Sequence, residues 1–335
     1  MPADRGQNLR EILYGTGDFC QIVREERNYA AILYSALLSP KNRDAFLQQV
    51  YAGKKAQDPS VTLPAVDPDS YGCFFEYAHL RDAWYCAGDT NDKRFEALKA
   101  AFRIIGDLTI KDTEGQEVKG LKLAANELTA RLSPLYRKAL DGPNFAAFNG
   151  CFKSNPSKKY LQSPGTWQAR WIMGGAEADE GHRPSALKAV SPEARKLLVI
   201  LGWCFNAKPD LVIHLNGSFA ICVEIKVDSP EGGYQAEDPN GDILRLRQTE
   251  IQKVIMELLG FTAPILVSIV LKKENKVGGR NSVQILWSQL FSPDGKTNGN
   301  FLDLSGVEPF VFRLMDGLHA HGTKKRLRLA RPTEG

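Results

Sequence analysis

Apolar positions recur with helical spacing through the first half of the chain and with strand spacing through much of the second. Residues 22–38, IVREERNYAAILYSALL, carry an apolar stripe that ends at Ser39-Pro40 and predicts a helix. Residues 42–53, NRDAFLQQVYAG, predict a second helix that stops at Gly53. A Pro-, Asp- and Ser-rich loop follows to residue 72. Helical patterns then return in 71–88 (YGCFFEYAHLRDAWYCAG), 93–106 (KRFEALKAAFRIIG) and 121–140 (LKLAANELTARLSPLYRKAL). Between the last two, TIKDTEGQEVKG reads as a short hairpin or an exposed loop. Residues 142–165, with their Gly, Pro, Asn, Ser and Lys, read as a linker.

Beyond the linker, Ser191-Pro192-Glu193 signals the start of a helix over 191–202. Short β-branched runs come next: DLVIHL (210–215), FAICVEIKV (219–227), PILVSIVLK (264–272) and VQILWSQL (283–290). Between the second and third, residues 242–260 (DILRLRQTEIQKVIMELLG) predict one helix, capped by Asp242 and closed by Gly260. The order helix–strand–strand–helix–strand–strand predicts an α/β unit over 160–290. A mostly helical region over 1–150 precedes it, and 291–335 forms a C-terminal extension with a basic tail.

Composition changes this picture little. The 335 residues, 43% hydrophobic and 24% charged, are those of a globular protein long enough for two domains or one with a large insertion. A net charge of +4 permits a nucleic-acid partner without arguing for one. The six cysteines form no C-x-x-C pair, which speaks against zinc and iron–sulfur sites of that spacing. Several lie in apolar runs, as reduced cytosolic thiols do. The start, MPADRGQNLR, has no signal-peptide core, and the longest apolar run is far short of a membrane span. A soluble, cytoplasmic protein without a membrane partner is the expectation.

Charge inside the strand runs carries the chemistry. Asp210 opens one run, and Glu224 and Lys226 share a face of the next while Val223, Ile225 and Val227 point the other way. A turn at Asn216-Gly217 would pair the runs and bring the Asp210 carboxylate beside Glu224. Two carboxylates so placed repel unless a cation lies between them. A hard divalent ion, Mg²⁺ or Mn²⁺, suits oxygen ligands and can polarise a phosphate and a water. A neighbouring lysine can orient that water or stabilise developing charge.

Pro209-Asp210, thirteen further residues, then Glu224-Ile225-Lys226 resembles the PD-(D/E)XK nuclease superfamily. The resemblance implies a restriction-endonuclease-like core: a mixed central sheet flanked by helices, with the N-terminal helical region as an addition or insertion. It implies that Asp210 and Glu224 bind Mg²⁺ (or Mn²⁺), that the main-chain carbonyl of Ile225 is a further ligand, and that Lys226 is the catalytic lysine. Members also often carry a glutamine or a lysine on the next helix, directed at the metal-bound water or the scissile phosphate. Gln248 falls on the stripe Leu244, Gln248, Ile251, Ile255, Leu258 and is placed first, with Gln252 second. Arg245 and Lys253 flank them as nucleic-acid contacts. A first-helix glutamate is a further mark of the superfamily; Glu26, which shares a face with Ala30, Leu33 and Leu37, is placed ahead of Glu177 and Glu193. If Glu26 fills that role, residues 41 to about 160 are an insertion.

The function so implied is metal-dependent hydrolysis of nucleic acid, DNA ahead of RNA, and by analogy a part in prokaryotic restriction or phage defence. The helical region would bind substrate, a partner protein or another copy of the chain. The alternative is a catalytically silent nuclease-like fold that only grips nucleic acid or protein. The plain structural reading of Glu224 and Lys226 is a pair of surface charges on a solvated strand face. The HAHG stretch at 319–322 lacks a third ligand nearby and reads as part of the basic tail.

Overall fold

The computed structural model describes residues 26–86, 91–142, 145–155, 158–174, 190–227, 232–238, 240–271, 282–291 and 302. The protein is α/β, with a mixed five-stranded sheet of order β1-β2-β3-β6-β7 flanked by helices, and a separate two-stranded β4-β5 pair. The strands are β1 (Gly72–Phe75), β2 (Leu211–His214), β3 (Ala220–Ile225), β4 (Gly233–Glu237), β5 (Ile243–Arg247), β6 (Ile265–Val270) and β7 (Val283–Leu286). β2 pairs antiparallel with β1 on one side and β3 on the other, while β6 and β7 run parallel. Among the described residues no helix is long and apolar enough to cross a membrane. The chain divides into two compact units, and the division passes through β3 and β6.

The first unit takes its residues from Met1–Leu63, Ile225–Pro230 and Val267–Gly335. Helix α1 (Glu26–Leu37) buries the predicted stripe Ala30, Leu33 and Leu37. Helix α2 (Pro40–Gln57) does not stop at Gly53 but runs a further turn. A Cβ at Gly53 would meet Val283 Cγ1 at 2.5 Å, so the glycine admits β7 against the helix rather than ending it. Gln57 then donates to the Ser282 carbonyl at 2.6 Å.

The second unit takes Pro64–Glu224 and Glu231–Leu266. Its centre is a helix over Pro192–Asn206, capped by Ser191 Oγ, with residues 197–205 all buried. Around it pack the helices α3 (His79–Cys86), α4 (Asn91–Asp107), α5 (Leu121–Leu140) and Ala169–Met173. Three sequence expectations are corrected here. The first half of 71–88 is not helix: Gly72–Phe75 pairs with β2, a partner some 140 residues away that local pattern does not reveal. The 142–165 stretch is not a linker: among its described residues Phe148, Phe152 and Leu161 enter the core. Asn149 fixes that segment, donating to Tyr160 O and accepting from Gln162 N, each at 3.1 Å.

The third correction bears on the site. Residues 243–247 are a strand, not the first turns of a helix. Leu244 and Leu246 are buried while Ile243 and Arg245 are exposed, which is the period of a strand. The Asp238 side chain accepts from the Asn240 and Asp242 amides, each at 2.9 Å, and turns β4 into β5. Asp242 therefore sits in a turn and caps nothing, and the helix begins only at Gln248. The 109–120 segment is a hairpin, closed by a Lys111–Glu117 bridge.

At the far end of β2, His214 packs between Phe74 (4.6 Å) and Phe261 (4.5 Å) and hydrogen-bonds through Nε2 to the Tyr77 hydroxyl at 2.9 Å. Burial, and after it the nearby His79, lowers the His214 pKa from 6.5 to about 4. The unfolded chain takes up this proton near pH 6.5 and the folded one resists until about 4, so stability falls across that window. The full shift would amount to about 3 kcal/mol, and partial solvent exposure of the ring reduces the expected loss to about 1–2 kcal/mol. Denaturant titrations from pH 7 to 4 are expected to show a slope that His214→Gln flattens.

Candidate active site

In the second unit, register places the acids. Pairs Leu211↔Val223 and Val212↔Cys222 put Asp210 one step on, opposite Glu224. The turn that sets this register is held by Asn216, whose side chain accepts from the Ser218 and Phe219 amides at 2.9 and 3.0 Å. Directly opposed residues share a face with Cβ atoms on the order of 5 Å apart. Cys222, two residues before Glu224, feels both acids: burial pushes its thiol well up, and the carboxylates of Glu224 and then Asp210 add to the rise. The main chain of Asp210 is itself pinned, because its carbonyl and that of Pro209 accept from Glu76 and Tyr77 amides at 3.0 and 2.9 Å. Glu76 adopts a left-handed conformation there, with φ 47°.

Glu224 is no surface charge, being 2% exposed. Gln252, on the helix Gln248–Leu258, is 1% exposed and donates through Nε2 to Glu224 Oε2 at 2.5 Å. A carboxylate only accepts, so the amide must present its nitrogen and keep its oxygen for something else. That oxygen, Oε1, is buried with no hydrogen-bond partner among the described residues. Gln248, ranked first from the sequence, opens the helix and lies over Gly232 instead. The reversal follows from the strand at 243–247: the stripe that favoured Gln248 began at Leu244, which is not helical.

In the first unit, Lys226 is 9% exposed and held at three points. Its amide donates to Ile269 O at 2.8 Å, its carbonyl accepts from Trp287 Nε1 at 3.3 Å, and its ammonium pairs with Glu26 Oε2 at 3.3 Å. Glu26 Oε1 also accepts from the Val227 amide at 3.1 Å. The inward stripe on α1 thus does bring Glu26 to the lysine. Ile225, between the two charged residues, is fully buried.

The remaining candidates lie elsewhere. Arg245 is an exposed residue of β5 and not on the helix. The Lys253 ammonium donates to the Thr109 carbonyl at 3.0 Å, which ties it to the 109–120 hairpin. Glu193 lies against Gly120. Glu177 and the HAHG stretch fall outside the described residues. One residue near the acid escaped sequence reading: Tyr234 on β4, whose phenol is pushed up to about 12 by burial first, then by Cys204 and Glu224. GYQAE offers no apolar alternation that would have marked it.

Within the second unit, two carboxylates and the buried Gln252 Oε1, without a hydrogen-bond partner among the described residues, are hard oxygen donors, which suit Mg²⁺ or Mn²⁺ and not a softer metal. Among the described residues no group of three or more His, Cys, Asp or Glu is arranged to hold a metal. A cation here would therefore rest on two acids and complete its shell with neutral oxygens and water, as Mg²⁺ commonly does. Comparison with known proteins returns no matching family model, no matching curated protein and no matching solved structure.

Proposed function

We propose that this chain is a divalent-metal-dependent nuclease with a restriction-endonuclease-like, PD-(D/E)XK core, hydrolysing phosphodiester bonds in nucleic acid, DNA foremost. The observation that carries the reading is the β2–β3 register, which, continued one step past Leu211↔Val223, faces Asp210 with the buried Glu224. An acid hidden from water beside a second acid is costly, and a divalent cation bound between them would offset that cost. Lys226 follows Glu224 by two residues in an extended run and is itself buried, an arrangement with no benefit for a solvated strand face.

Asp210, Glu224 and the Ile225 carbonyl would hold Mg²⁺ or Mn²⁺, with Gln252 Oε1 as a further neutral donor. The ion, when bound, supplies positive charge against a phosphate oxygen and makes a neighbouring water more acidic. Gln252 fixes the rotamer of Glu224 through its amide nitrogen. Lys226, whose main chain and ammonium are both anchored, would on this reading lend positive charge to the attacking water and to the phosphorane-like transition state.

The test is cleavage of supercoiled plasmid and of single-stranded oligonucleotide with Mn²⁺ or Mg²⁺, wild type against Asp210→Asn. The expected result is divalent-dependent cutting that the variant loses by about 10³-fold or more, with a melting temperature in EDTA no lower than that of wild type. Equal cutting by both proteins would overturn the assignment. Binding of nucleic acid with no cutting under any divalent ion would favour the silent binding module.

A further inference from the structure

A second feature of the same unit lies away from these acids. The helices Asn91–Asp107 (α4) and Leu121–Leu140 (α5) pack antiparallel. Phe95 stacks on Tyr136 at 4.0 Å near one end of the pair, and Gly106 meets Ala125 at the other. Their outer seam opens as a groove of about 580 Å³, within the range of small-ligand sites. Three cations line it: Lys99 and Arg103 from α4 and Arg137 from α5. Lys99 is neutralised by Glu96 at 2.5 Å. Arg103 and Arg137 have no ion pair and no hydrogen bond among the described residues.

We infer that this seam is an anion site that takes phosphoryl groups through Arg103 and Arg137. Arg137 lies next to Tyr136, level with Phe95, whereas Arg103 is eight residues farther along α4. At 1.5 Å per residue the two are about 12 Å apart along the axis. That spacing suits two phosphates of one ligand better than the two oxygens of a single carboxylate. Guanidinium forks match phosphate oxygens in pairs and are the side chains best suited to the task. Neutral donors add little. The hydroxyl protons of Thr129 and Ser133 go to the Ala125 and Thr129 carbonyls, which leaves Asn126. The remaining wall is small and aliphatic, with Pro134 and alanines and no aromatic ring on which a base could stack. Recognition would be of phosphate and not of base, so it would be sequence-independent and strongly salt-dependent. The phosphates can belong to a nucleic-acid strand or to a free polyphosphate ligand. The site stands apart from the metal reading, and either can fail alone.

The experiment uses the full chain in EDTA, where no cutting intervenes. Fluorescence anisotropy of a labelled single-stranded oligonucleotide is followed against salt for wild type, Arg103→Ala/Arg137→Ala and a charge-matched control, Lys93→Ala/Lys138→Ala. These are exposed lysines of the same helices that do not line the groove. Thermal unfolding with pyrophosphate or ATP is read in parallel. A strand ligand predicts an affinity loss of at least about 10-fold in the arginine variant and a salt slope smaller by between one and two units, with the control near wild type. A free polyphosphate predicts a rise in melting temperature that the arginine variant alone loses, with oligonucleotide binding unmoved. If the arginine variant matches the control in both assays, the seam is only a solvated pair of helix faces and the inference fails.

Discussion

Lys226→Ala is expected to abolish divalent-dependent cleavage, with a loss of about 10³-fold or more, and to lower stability by only about 1–2 kcal/mol. The two effects have different origins. The stability loss comes from Glu26, which keeps the Val227 amide but loses the ammonium. Breaking a fully buried pair costs about 3–5 kcal/mol, but the Glu26 side chain is about one-quarter exposed and water recovers part of that. On the proposed mechanism, the activity loss would come from removing a charge that assists the attacking water and the developing oxyanion. Lys226→Arg separates the two. A guanidinium can still pair with Glu26, so stability should stay within about 0.5–1 kcal/mol of wild type, yet a planar fork cannot occupy the place of a point charge. Cleavage by Lys226→Arg close to the wild-type rate would show that the residue serves only as a partner for Glu26. A Glu26→Gln/Lys226→Ala cycle then gives the coupling energy between the pair, expected at about 1 kcal/mol.

How much of this site the sequence disclosed depends on the range over which each contact acts. Asp210 and Glu224 were legible because a local turn, signalled by Asn216-Gly217, sets their register. Glu26 was legible as an acid on an otherwise apolar helical stripe, although its partner 200 residues away was not. Gln252 was ranked second for a physical reason. ILRLR fits the helical template through Leu244 as readily as it fits a strand, and only pairing with β4 decides between them. The Asp238 turn that enforces this pairing depends on side-chain-to-amide bonds that no periodicity reports. β1 was hidden likewise, since GCFF becomes a strand only against Leu211–His214. Residues 142–165 looked like a linker because their composition is rich in Gly, Pro, Asn, Ser and Lys. Their burial rests on a few large aromatics and on Asn149, whose amide satisfies two main-chain groups.

Glu224→Gln carries the second large expectation, and its sign changes with the ligand. Without divalent ion, the wild type keeps a carboxylate at 2% exposure opposite Asp210. An amide of the same shape removes the repulsion and the desolvation of a charge, and Gln252 Nε2 can still donate to the new carbonyl oxygen. The variant should therefore be more stable than wild type in EDTA, by about 1 kcal/mol. With Mn²⁺ or Mg²⁺ at a hundred times the dissociation constant, the wild type should gain about 2.7 kcal/mol and the variant almost none, so the order of melting temperatures reverses. Paired thermal scans in EDTA and in millimolar Mn²⁺ read both halves at once. A variant less stable than wild type in EDTA that gains as much from Mn²⁺ would mean that Glu224 is a structural acid whose charge its protein neighbours, Gln252 among them, satisfy. Asp210→Asn should reproduce the reversal, because either acid of an opposed pair relieves the other when neutralised.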